Sequence, residues 1–356
     1  MIGSVVLVVV ALAQVAFLLL LLVFLLVRRA YDRRQRAAFV AGRNELAIPL
    51  RNWLVGGAHP EPVVEVLRRM PRGTAVGYLA LLARQTIPES NREEIAVALR
   101  GEPWVRSAVR QAGSRFWWRR LESARALSLM AEARDRATVL ALFDDAHPAV
   151  QIAAAAALPR VADDALVGHV LDRLEALPKV VRHYVTAVLR RSRGIVGPAL
   201  AQRIREGDAF ASLSAWIELA EAIDDPEAVT AAMSRADHRA VAVRRTIAKA
   251  LRRRPGPESE ATLTTLLRDP DPTVRAAAAR TLGELGSRSA VPALTPVLSD
   301  PIWVVRVRAA VSLAQLGERG RAALRAARVG DDRFARDMAM MVTGLTDGAV
   351  LELGDA

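Results

Sequence analysis

DPDPTVRAAAARTLGELG runs from Asp269 to Gly286, and DPIWVVRVRAAVSLAQLG runs from Asp300 to Gly317. The second begins 31 residues after the first, and a fixed period of this size marks an array of stacked supersecondary units. The register continues backward. Val150, Val181, Val243, Val274 and Val305 are separated by 31 residues or multiples of it, as are Leu127, Leu158, Leu189, Leu251, Leu282 and Leu313.

Within the unit that starts at Asp269, Asp271 suits an N-cap and Pro272 the first helical position, where no N–H donor is needed. Val274, Ala278, Leu282 and Leu285 then fall on one helical face. Gly286 suits the stop. Pro292 opens a second helix whose apolar side is Val291, Leu294 and Leu298. Two such short helices cannot bury their faces alone, so each unit must stack on its neighbours.

Asp-Pro-x-x-x-Val-Arg, then Ala-Ala and Leu-Gly, stand here as Asp269, Pro270, Val274, Arg275, Ala278, Ala279, Leu285 and Gly286. They recur as Asp300, Pro301, Val305, Arg306, Ala309, Ala310, Leu316 and Gly317. This pattern resembles HEAT repeats, in particular the bacterial kind also found in phycobilisome lyases. It covers about Ser114 to Ala327 and implies an all-α fold, an α-solenoid of stacked helical hairpins. Two units depart from it: Gln151 replaces the repeat arginine, and Ser212 and Leu213 stand where Val-Arg is expected. The resemblance also implies that Arg182, Arg244, Arg275 and Arg306, which share one repeat position, form a structural ladder with acids near the adjoining unit, Asp237, Asp269 and Asp300 being available.

The chain has no cysteine, which excludes disulfides and thiolate metal sites. Its formal charge is +12, a value that would suggest nucleic acid if it lay along the repeats. It does not. Residues 28–120 hold 18 arginines and 8 acids, whereas residues 121–356 hold 32 basic and 30 acidic side chains.

Met1 to Val27 carries no charged side chain, and Val5 to Val27 is interrupted in polarity only by Gln14. At ~1.5 Å per residue such a helix spans a ~30 Å hydrocarbon core. A cleaved signal peptide would need a basic start and a shorter apolar run. Residues 1–36 are therefore expected to be a transmembrane anchor with a basic juxtamembrane segment. Arg28, Arg29, Arg33, Arg34 and Arg36 put the repeats in the cytosol and the N-terminus outside, with anionic headgroups as partners. The expected location is the inner membrane, single-pass.

Residues 37–113 read as an irregular helical region or N-terminal cap, with helices at Pro60–Arg69, Thr74–Arg84 and Asn91–Leu99, and breaks at Pro49, Gly56-Gly57, Pro71 and Pro88. Residues 114–345 are the solenoid. Asp331 to Leu345 closes it, and residues 346–356 are expected to be a flexible tail.

Candidate sites are few. His59, His147, His169, His183 and His238 form no metal-binding spacing, and no phosphate loop, nucleophile elbow or catalytic carboxylate pair is present. No cofactor is expected. Asp144-Asp145, Asp163-Asp164, Asp224-Asp225 and Asp331-Asp332 lie between helices, where Asp caps N-termini. Arg160, Arg191 and Arg253 share a position at the end of the first helix, as a basic partner-binding ridge or as dipole compensation. RFWWRR, Arg115 to Arg120, offers stacking to nucleic acid, or Phe116, Trp117 and Trp118 pack the junction before the array. The expected function is a membrane-anchored, non-enzymatic scaffold for a protein partner, such as a membrane-associated enzyme complex. The alternatives are bilin lyase-like or isomerase chemistry, which the resemblance brings in, and nucleic-acid binding, which the near-neutral array disfavours.

Overall fold

The structure, a computed structural model, describes the backbone of residues 2–57, 59–85, 87–345 and 347–355; within the first helix, the side chains of residues 2–13, 15, 16, 20, 28, 31, 32, 35 and 36 lie outside the description, as do those of 347, 351, 354 and 355 in the last. Among the described residues there is no strand. The chain divides into two compact units, Met1–Val161 and Ala162–Ala356.

The first unit holds α1 (Ile2–Gly56), α2 (Glu61–Arg69), α3 (Arg72–Arg84), α4 (Glu89–Arg100), α5 (Pro103–Val109), α6 (Trp117–Met130), α7 (Arg136–Phe143), α8 (Pro148–Ala155) and α9 (Leu158–Val161). Its core joins Leu46 and Trp53 of α1 to Leu67, Val76, Leu79, Ile95, Leu99, Leu129 and Met130. The irregular region therefore shares a core with α6, the first helix in the 31-residue register. Pro49 was expected to break the chain, yet α1 runs through it. A mid-helix proline costs about 3 kcal/mol. Leu46 and Trp53, one turn to either side, are both buried, and Trp53 Nε1 donates to Glu94 Oε2 at 3.2 Å. Packing of this kind offsets the lost backbone bond.

The membrane placement is corrected. Among the described residues, no helix is long and apolar enough to cross a membrane. Helix α1 has the length, 55 residues, but a crossing needs about 20 consecutive apolar side chains. The longest described apolar run in α1 is Leu21–Val27, and most of the remaining run lies outside the described side chains. The same helix continues past exposed Arg29, Arg33 and Arg34 into the core of the first unit. The single-pass inner-membrane location, with the N-terminus out and the repeats in the cytosol, is thereby overturned. The headgroup contacts expected at residues 28–36 lose their basis with it. Arg28 and Arg36 lie outside the described side chains.

The second unit contains α10 (Asp164–Arg173), α11 (Lys179–Leu189), α12 (Arg193–Glu206), α13 (Phe210–Ile223), α14 (Pro226–Met233), α15 (Val241–Ala250), α16 (Pro257–Leu266), α17 (Pro272–Glu284), α18 (Val291–Leu294), α19 (Trp303–Gln315), α20 (Glu318–Arg328), α21 (Arg333–Thr343) and α22 (Asp347–Asp355). Helices α11, α13, α15, α17, α19 and α21 pack each against the next in a row. Helix α17 shows why. Asp271 accepts from Thr273 N at 2.8 Å as N-cap, Val274, Ala278 and Leu282 are completely buried, and Gly286 turns the chain at φ +66°, a region that glycine enters without penalty. The following segment is not one helix. Pro292 and Pro296 remove donors one turn apart, so α18 is flanked by 3₁₀ turns at Arg288–Ala290 and Thr295–Ser299, with Leu294 and Leu298 still buried. The tail also differs from expectation: Asp347–Asp355 is helical and packs on α19, with Val350 buried.

Candidate partner-binding face

One arginine position controls the turns between hairpins. Arg244 Nη1 donates backward to the carbonyls of His238 and Arg239, at 2.8 and 3.2 Å. Its Nε and Nη2 reach forward to Asp269 Oδ2 and Oδ1, at 2.6 and 2.8 Å. Asp269 Oδ1 also accepts from Asp271 N at 2.8 Å. Arg275 repeats this with Asp269 O, Pro270 O and Asp300. In the first unit, Arg120 does so with Ser114 O and Asp145. Each arginine thus fastens its own turn to the next one. Burial would raise the Asp269 carboxyl, but the Arg244 guanidinium and the Asp271 N–H outweigh it and hold it below the usual carboxylate range. Asp145 and Asp300 are held down in the same way by Arg120 and Arg275, against burial.

The ladder is incomplete. Arg306 donates to Asp300 O and Pro301 O, but its guanidinium lies over the Phe334 ring at 4.5 Å. Among the described residues it has no ion pair, and its buried Nε has no hydrogen-bond partner. Arg182 meets no carboxylate among the described residues; Gly207 stands where its acid would be. Asp237 is not a rung. His238 holds the acid position, matched by Leu213 at the arginine position, so both members of that pair are replaced together. Arg336 was missed in the sequence because it lies 30 rather than 31 residues after Arg306. It clips Gly330 O and Asp331 O as the others do.

The aspartate pairs supply caps and turns. Asp163, Asp225 and Asp332 accept from Leu166, Ala228 and Ala335 N–H groups, and Asp224 ends α13 in the left-handed region at φ 54°. Among the described residues, no cluster of His, Cys, Asp and Glu could hold a metal ion.

The three arginines of the expected ridge fall in different units. Arg160 is tied within the first unit to Ala131 O at 3.0 Å and Glu89 at 3.2 Å. Arg191 and Arg253 are exposed in the second unit, two repeats apart, with Ala222 at the position between them. Trp117 and Trp118 do not seal a junction either: they are 40% and 48% exposed. They begin α6, ahead of Ser123, where its buried side starts. Trp117 stacks on His147 with ring centres 4.0 Å apart, and Phe116 on Trp118 at 4.6 Å.

The feature that sequence reading passed over lies along α13, α15 and α17. An open groove of about 480 Å³ is lined by Glu218, Glu221, Arg245, Lys249, Arg280 and Glu284, among others. Glu221 pairs with Arg252 at 2.6 Å and Glu284 with Arg280 at 2.7 Å. The signal was present as a register column: Glu218, Lys249, Arg280 and Val311 share one repeat position, and Thr246, Ala277 and Arg308 share another. Those columns vary in chemistry, while the buried column from Leu127 to Leu313 stays apolar throughout, with Ala220 its one exception to leucine.

A family model described as HEAT repeats matches residues 260–342, from within α16 to the end of α21. No curated protein matches the chain. Among solved structures, an engineered protein is 19% identical over 91% of this chain and 96% of its own, with a TM-score of 0.32. The Escherichia coli protein YibA is 14% identical over 74% and 99%, with a TM-score of 0.34. The CpcE–CpcF complex of phycocyanin lyase from Nostoc sp. is 18% identical over 67% and 93%, with a TM-score of 0.29. None of these likenesses bears on what this chain does.

Proposed function

We propose that this chain is a non-enzymatic helical-repeat scaffold that binds a protein partner along the face formed by α13, α15, α17 and α19. The observation that carries this is the groove itself. Three helices packed in sequence, α13, α15 and α17, line it with charged and polar side chains in a common register, next to turns fastened by Arg–Asp pairs. Small-molecule pockets are concave and mostly apolar, whereas this groove is open and lined by both signs of charge. Stacked repeats supply long surfaces of the kind protein partners use, and alternating charge favours selectivity over raw affinity.

Site-specific photocrosslinking tests the reading. A photoreactive residue in place of exposed Arg245 on α15 should give a discrete, reproducible protein adduct. The same residue in place of exposed Thr265 on α16 should not. Adducts of equal yield from both positions, or from neither, would remove the proposal.

A further inference from the structure

The face just described is already occupied at its end by a helix of the same chain. Helix α22 lies on α19. Val350 is buried there, and Arg308 Nη1 donates to the Leu353 carbonyl at 3.0 Å. Leu353 falls in the last turn of α22, where backbone carbonyls have no partner within the helix and the helix dipole is negative. A guanidinium satisfies both. Arg245 and Lys249 of α15 are exposed, while their counterparts two repeats on, Val307 and Val311 of α19, are buried.

The charges match as well. Residues 346–356 carry Asp347, Glu352 and Asp355 and no basic side chain. The adjoining face carries Arg245, Lys249, Arg252, Arg280 and Arg308 against Glu218, Glu221 and Glu284, and two of those acids are engaged with Arg252 and Arg280. Helix α17, which carries Arg280 and Glu284, packs directly against α19, which carries Arg308, so the occupied rung adjoins the open groove.

We propose that the α15–α17–α19 face is a docking site for an acidic, amphipathic helix of a partner protein, and that α22 holds the last rung of it in cis. The proposal rests on the protein-scaffold reading and names the chemistry of its partner. The recognised helix carries carboxylates, a narrow apolar stripe that meets Val307 and Val311, and a C-terminal end turned toward Arg308. Because α22 must leave before a longer helix can reach Arg308, the apparent affinity for such a helix is reduced by the fraction of time that α22 is bound.

The test uses the full chain and a fluorescent peptide with the sequence of residues 346–356, read by anisotropy. Val350→Asp should release α22 and strengthen peptide binding by about tenfold over the unaltered chain, as expected if α22 covers the rung about nine-tenths of the time. Adding Lys249→Glu and Arg280→Glu to Val350→Asp should reverse that gain, and a scrambled peptide should not bind. On the unaltered chain, excess peptide should slow amide exchange in α15 and α17. A peptide that binds the Val350→Asp chain no better than the unaltered one overturns the proposal, as does binding indifferent to Lys249 and Arg280, or unchanged exchange. The peptide belongs to this chain, so the result stands whether or not photocrosslinking recovers a partner. A partner crosslinked at position 245 with no peptide binding sinks this inference alone.

Discussion

Arg244 and Asp269 sit 25 positions apart and meet in a two-point contact, Nε to Oδ2 at 2.6 Å and Nη2 to Oδ1 at 2.8 Å, with both side chains almost wholly withdrawn from solvent. Removing one partner of such a pair leaves a buried charge uncompensated, which costs about 3–5 kcal/mol. Asp269→Ala should therefore lower the melting temperature of the second unit sharply in a circular-dichroism scan. Arg239→Ala, which breaks the exposed contact to Asp208 at 2.9 Å, should leave it nearly unchanged. Equal effects from the two would mean that the ladder contributes nothing specific.

The same carboxylates set an acid limit. Asp145, Asp269 and Asp300 all titrate below the ordinary Asp range in the folded chain. A depressed folded pKa stabilises the fold above the unfolded value of about 4, and that contribution is lost as pH falls through the folded value. Melting temperature should thus hold steady from neutral pH to about 5 and fall below about 4. Asp300→Asn should flatten the fall below pH 4, and an unaltered slope would show that these groups are not its source.

Leu282 is completely buried between stacked helices. Leu282→Ala should cost about 2–5 kcal/mol through lost contacts and the cavity left behind. Leu282→Asp should cost more, since it buries a charge without a partner. Urea unfolding curves give both values. A midpoint unmoved by Leu282→Asp would displace the whole register.

At Gly320, α20 lies close against α19: a Cβ placed there would be 1.9 Å from the Leu313 carbonyl oxygen. The obstruction is backbone, which cannot swing aside. Gly320→Ala should destabilise by roughly 1–3 kcal/mol or more, while Gly113→Ala, which meets nothing, should be neutral or slightly stabilising. Thermal melts of the two variants side by side decide the point.

Much of the repeat unit was readable because its rules are local. Asp271, Pro272 and Gly286 act within one turn of the backbone they cap, open or end. The buried column Val274, Ala278 and Leu282 follows from helical spacing. The candidate face was less readable. Arg191 and Arg253 share a register position with Arg160, but Ala222 stands between the two of them, and Arg160 is held within the first unit by Ala131 and Glu89. The exposure of Trp117 and Trp118 was equally hidden, since aromatic content does not say which side of a helix start faces solvent.

The sequence by itself determined an all-helical repeat with its caps, its stops and its buried columns, since these depend on residues three or four positions apart. Only the tertiary structure decided which arginines find a carboxylate 25 residues on, that α1 continues through Pro49, and that residues 347–355 fold back onto α19. Each of those outcomes depends on groups that are distant in sequence and compete for the same few ångströms of space. No local periodicity can encode that competition.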